Sequence, residues 1–130
     1  MFEMPTTMSA LVPRVAHAAT RALDASIEVL VDADEENAQR LIEEDLHLDE
    51  LESELERKVM RSIALRAPVA DDLRYLVMAI RIGAMLERSG DHAKNMAKRT
   101  TVLSQMAPIN GSSAALRRMA REVERMLRSA

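Results

Sequence analysis

The chain has 130 residues, 48% of them hydrophobic and 30% charged, with a formal net charge of −3 and no cysteine. That length gives room for one core, and the lack of cysteine excludes disulfides, thiolate metal sites and cysteine nucleophiles, so any metal must be held by oxygen or imidazole. Three Gly, four Pro and only Phe2 and Tyr75 as aromatics leave few turns for a β fold, and an all-α chain is expected.

The opening residues, MFEMPTTMSA, carry neither a basic leader nor an apolar run and read as a flexible N-terminus over residues 1–9. No stretch approaches the roughly 20 apolar residues of a membrane span, which predicts a cytoplasmic protein without direct membrane insertion. A first helix is expected from about Ala10 to Val31, capped by Ser9 and tolerant of Pro13 in its first turn, with Leu11, Val15, Ala18, Ala22, Ala25 and Val29 as its apolar stripe. Asp32-Ala33-Asp34 breaks the pattern and caps a second helix that runs to about Arg66, where Ala67-Pro68 ends it. A third helix starts near Val69, places Asp71 and Asp72 where the helix dipole favours them, and runs to about Leu103. After a linker over residues 105–111, Ser112 or Ser113 caps a last helix that ends with the chain. The two middle helices are each roughly 50 Å long at 1.5 Å per residue. Short connections make sequential helices antiparallel, so the expected fold is an elongated up-down-up three-helix bundle over residues 10–104 with an additional C-terminal helix.

Charge is unevenly placed. Residues 32–56 hold twelve acids and one base, Arg40, whereas residues 115–130 hold five Arg and two Glu. On a helical wheel the inward stripe of the second helix is Leu41, Asp45, Leu48, Glu52, Leu55, Val59 and Ile63, with Asp49 and Glu56 on its edge. The third helix carries Leu73, Val77, Ile80, Ala84, Glu87, Asp91 and Asn95 on one stripe. In an antiparallel hairpin turning at Ala67-Pro68, the register that sets Ile63 level with Leu73 and Val59 with Val77 also sets Asp49 level with Glu87 and Asp45 with Asp91. Each helix thus offers an acid-x-x-x-Asp pair one turn apart on one face. Four carboxylates within about 6 Å repel by roughly 3 kcal/mol per pair at an effective dielectric near 20. Cations of the oxygen-loving kind (Fe, Mn, Mg) neutralise such a seam, as do protons or the side chains of Arg21, Arg81, Arg88 and Lys94.

The segments IEEDLHLDELESELE (residues 42–56), LRAPVADDLR (65–74) and LERSGDHAKNMAKR (86–99) together resemble the PhoU family of phosphate-signalling proteins, over about residues 11–99. The resemblance implies two three-helix repeats, of which this chain holds one and, over residues 112–130, the first helix of an incomplete second. It implies metal ligands at Asp45, Asp49, Glu87 and Asp91, with Glu52 and Asp72 as less direct neighbours. It also implies a non-enzymatic adaptor that negatively regulates phosphate uptake and phosphate-starvation signalling, with a phosphate ABC transporter and a sensor histidine kinase as partners. The residues themselves leave open a carboxylate-bridged metalloprotein for metal storage or oxidation.

Two features argue for a further partner. The third helix has a second apolar stripe, Tyr75, Met78, Ile82, Met85, Leu86 and Met96, and the fourth helix has Leu116, Met119, Val123, Met126 and Leu127 on one side. A second protomer, the fourth helix or both are expected to cover the former, which predicts a homo-oligomer. Catalysis lacks a residue set: Glu44-x-x-His47 is the single Glu-x-x-His and points off the stripe, the three Gly form no phosphate loop, and Ser89 and His92 stand without an exposed elbow. His17 and His47 are expected on the surface, and His92 beside Asp91 is a candidate to orient a ligand. Overall acidity and the scarcity of aromatics argue against nucleic acid as a partner.

Overall fold

The computed structural model describes residues 10–129, and these form four helices: α1 (Leu11–Asp32), α2 (Glu35–Arg66), α3 (Ala70–Leu103) and α4 (Ser112–Ser129). The proposed Ser9 cap and the N-terminal residues 1–9 lie outside the described part; Ala10 precedes α1 without a side-chain cap bond. The junctions follow from local chemistry. α1 ends as Ala33 enters the left-handed region (φ 55°) and the Asp34 amide donates to the Val29 carbonyl at 3.0 Å. Asp34 then opens α2, its carboxylate accepting from the Asn37 amide at 3.0 Å. α2 closes at Ala67, again left-handed at φ 43°, immediately before Pro68.

α3 packs along both α1 and α2, while α1 and α2 meet each other less closely. Leu11, Val15 and Ala19 of α1, Leu48, Leu51, Leu55 and Val59 of α2, and Leu76, Ala79 and Leu86 of α3 form the main core. A smaller one joins Val29, Ala38, Leu41 and Ala97. Between the two, α2 buries Asp45 where its spacing calls for an apolar residue. Polar groups therefore divide one hydrophobic column into two.

Of the stripe expected for α2, Leu41, Asp45, Leu48, Leu55 and Val59 are buried and Glu52 and Ile63 are half-buried, while Ala38, Leu51 and Ser62 are buried in addition. That of α3 is rotated by about one residue, some 100° on the helix: Leu76, Ala79, Gly83, Leu86, Gly90, Ala93, Ala97 and Thr100 are buried, whereas Leu73 and Val77 are 38% and 39% exposed. Close approach to two neighbouring helices selects Gly and Ala over larger residues, and Leu86 accordingly belongs to the core rather than to the outer stripe. Tyr75, Met78, Ile82 and Met85 are exposed. α4 does not cover them, because it packs on α1, by Leu127 against the main core and by an Arg117–Asp32 ion pair at 3.3 Å. No α4 residue is buried.

Candidate functional site

Where the two cores part, α2 and α3 face each other through side chains of opposite and like charge. Asp45 is directed inward by the same spacing that buries Leu41 and Leu48, and its side chain is 5% exposed. Lys94 of α3 donates from Nζ to Asp45 Oδ2 across the interface and reaches back one turn to Asp91 Oδ1 at 3.4 Å. The Asp45 hydrogen bond, reinforced by the charges of Asp45 and Asp91, holds the Lys94 ammonium above the usual lysine range despite its partial burial. Gly90 lets α2 and α3 come this close: a Cβ there would stand in ordinary contact with Asp45 Oδ1 at 3.8 Å but would clash with Leu48.

The remaining carboxylates are less well served. Asp49 Oδ1 is buried and has no hydrogen-bond partner. Burial pushes the Asp49 carboxyl above its ordinary value, Asp45 and Asp91 add repulsion, and Lys94 partly opposes both. Glu87 is raised as well, first by burial, then by the charge of Asp91 and a hydrogen bond to it, with Asp49 and Glu52 contributing. Glu52 is raised by burial and by Glu56 and Asp49. Asp45, Asp49, Glu87 and Asp91 are thus brought together as the register requires, with Glu52 beside them. Asp72 stands apart, in the first turn of α3 and fifteen residues before Glu87, roughly 22 Å along the helix axis.

The donor set consists of oxygens, which suits a hard cation. As arranged, though, an ammonium occupies the space between Asp45 and Asp91, and no group of three or more acidic, His or Cys side chains among the described residues is disposed to hold one metal ion. A metal would require Lys94 to swing outward. Lys94 was one of four bases that the sequence put near the seam; Arg88 also stands three residues from Asp91, so spacing alone did not single Lys94 out, and its ion pair with Asp45 of α2 does. The Ser89 hydroxyl donates to the Met85 carbonyl at 3.0 Å, which turns it along its own helix. His92 is exposed on α3. His17 and His47 are exposed, as expected, and both line one cleft between α1 and α2, a feature that sequence reading missed.

The PhoU domain family model matches residues 12–100, which spans α1, α2 and nearly all of α3. Among curated proteins, a phosphate-specific transport system accessory protein PhoU homolog from Zymomonas mobilis is 46% identical over 89 residues, 68% of this chain and 38% of that protein. Proteins of the same description from Caulobacter vibrioides and Aquifex aeolicus are 44% identical over 91 residues and 37% over 96, covering 70% and 74% of this chain and 40% and 43% of theirs. The chain therefore spans about two fifths of the length of the curated relatives it matches. No solved structure matches it. Among the described residues no helix is long and apolar enough to cross a membrane.

Proposed function

The chain belongs to the PhoU family, and on that premise we propose that it acts as a non-enzymatic accessory of a phosphate transport system, negatively regulating uptake and phosphate-starvation signalling from the cytoplasm. The observation that carries this reading is that the family match covers nearly the whole three-helix bundle, seam included, rather than one helix of it. The relatives' shared description as transport accessory proteins supports the transporter as a partner, and a sensor histidine kinase is the second. α4 serves as the first helix of a second repeat, in keeping with the greater length of the relatives. The uncovered Tyr75, Met78, Ile82 and Met85 of α3 support association with a second protomer. Affinity capture on immobilised chain tests the reading: recovery of the phosphate ABC transporter or the kinase is the expected result, and recovery of neither from phosphate-replete and phosphate-starved cells overturns it.

One observation favours a cation at the seam. Asp45 and Asp91 share the Lys94 ammonium, Asp49 Oδ1 is buried without a partner, and burial and neighbouring carboxylates raise the pKa values of Glu52 and Glu87 beside them. Asp45, Asp49, Glu87 and Asp91 would hold Fe, Mn or Mg once Lys94 had moved aside, and the ion would supply positive charge, not catalysis. Elemental analysis after incubation with each metal, beside an Asp49→Ala/Glu87→Ala variant, decides the matter. Equal metal contents in the two proteins would remove this reading.

A further inference from the structure

A cleft of about 620 Å³ runs between α1 and α2 with α3 as its floor, on a different face of α2 from the carboxylates Asp49 and Glu52. Its walls are Ala18, Ala22 and Ala25 from α1 and Leu41, Leu48 and Leu51 from α2, and Gly90 and Lys94 lie at the bottom. Small residues keep it open. Interiors pack to crystal-like density, and three larger side chains at the alanine positions would fill a notch that is instead left unfilled along about two turns of α1. Its size and mainly apolar lining lie within the roughly 300–1,000 Å³ range of small-molecule sites.

Charge is arranged along one lip. Arg14, His17 and Arg21 recur at helical spacing on α1, so they form a row beside the alanine row. None of the three makes an ion pair or side-chain hydrogen bond with another described residue; Arg14 only lends its field to Glu54. His47 stands on the opposite lip. Of the two acids in the lining, Asp45 is already neutralised by Lys94, which leaves Glu44 against two guanidinium groups. An acidic α2 would have been expected to consume these cations. It pairs instead within itself, Glu36 with Arg40 and Glu54 with Lys58.

We propose that this cleft binds an amphipathic organic anion, its apolar body between the alanines of α1 and the leucines of α2 and its anionic group on Arg14, His17 and Arg21. The chemistry has two sources, a nucleotide, with a flat base and phosphates, and an acyl anion, with a chain and a carboxylate. Neither an isolated phosphate ion nor a neutral apolar molecule satisfies both halves of the site.

Amide-resolved NMR titration of the full chain with ADP, decanoate and inorganic phosphate tests the proposal. The expected result is that ADP or decanoate, at up to about 1 mM, shifts resonances of residues 14–25 and 41–51, with a Kd near 100 µM or tighter. Which of the two does so identifies the source. Arg21→Glu, at an exposed position, should weaken that ligand about tenfold or more, and Ala22→Leu, which fills the slot, should do the same while retaining the helical circular dichroism of the parent. Should Ala22→Leu unfold, Ala18→Met replaces it as the slot-filling variant. The proposal is overturned if neither molecule shifts these residues, if shifts are confined to residues 75–85 of α3, if inorganic phosphate alone produces the full effect, or if Arg21→Glu leaves affinity unchanged.

Discussion

Leu48 of α2 occupies the space that any side chain at Gly90 of α3 would need: a Cβ at Gly90 would lie 2.1 Å from Leu48 Cδ2. Leu48 is 3% exposed and cannot move outward without opening the core. Gly90→Ala should therefore destabilise the bundle by up to about 2 kcal/mol, the overpacking of about 1–3 kcal/mol less the ~1 kcal/mol that Ala brings to a helix interior. Gly83→Ala, at 2.8 Å from Leu55 Cδ2, should cost less. Denaturant titration of both variants checks the order, and equal or greater stability of Gly90→Ala would show that Leu48 yields.

Removal of Lys94 leaves Asp45 buried at 5% exposure without its counter-charge. Lys94→Met should cost about 2–3 kcal/mol, below the roughly 3–5 kcal/mol of a fully buried pair because Lys94 is 25% exposed. Asp45→Leu/Lys94→Met should recover most of that loss. Because the Lys94 pKa is raised from 10.5, the stability that its protonation contributes is complete below that unfolded value and is lost as pH rises from about 10.5 through the higher folded-state value. A double-mutant cycle at pH 7 measures the coupling.

Asp49 and Glu87 behave oppositely. Their folded pKa values are raised, so the native state holds their protons more tightly than the unfolded chain does, and stability falls as pH rises from their ordinary values through the raised ones. Above that window their charge is a constant penalty. Asp49→Asn should raise stability at pH 7 by up to about 1 kcal/mol, with the gain vanishing below about pH 4. Thermal melts of the variant and parent across pH 3–8 test the sign.

Ala33 and Ala67 adopt left-handed backbone at the exits of α1 and α2, with φ of 55° and 43°. Glycine lacks the Cβ that penalises this conformation by roughly 1–2 kcal/mol, a gain reduced by the greater freedom of unfolded Gly. Ala67→Gly should thus raise stability by about 0.5–1 kcal/mol, read from the denaturation midpoint at constant slope.

α4 attaches to α1 through Leu127 and the exposed Arg117–Asp32 pair, and none of its residues is buried. Its amides should exchange at least about 100-fold faster than those of Ala93, Ala97 and Thr100, because little apolar surface must separate for it to open. Hydrogen-exchange rates over residues 112–129 equal to those of α3 would refute this.

Three helix boundaries were legible from local signals, Asp34 as a cap, Pro68 as a stop and Gly111 before the last helix, although Ser112 lies inside that helix and its hydroxyl donates to the Ile109 carbonyl. Most of the α2 stripe was legible too, since Leu41, Leu48, Leu55 and Val59 mark its buried face. α3 misled because the wheel favours bulk, and Leu73, Val77 and Ile80 outweigh Ala79, Gly83 and Gly90 on any apolar count, although contact with two helices demands the small residues. The seam's register survived this rotation, since Glu87 and Asp91 moved to the edge of the interface rather than away from it. The orphaned Asp49 oxygen and the cleft beneath the cationic row of α1 depend on three-dimensional packing between helices; spacing shows only that Arg14, His17 and Arg21 share a face.

Tyr75 is the chain's sole tyrosine and there is no tryptophan, so its phenol dominates the near-ultraviolet absorption and emission of the whole protein. It stands 58% exposed at the head of the α3 row that continues through Met78, Ile82 and Met85. The molecule thus carries an intrinsic optical reporter on that surface. Its quenching by iodide or acrylamide measures, without a label, whether anything has come to lie there.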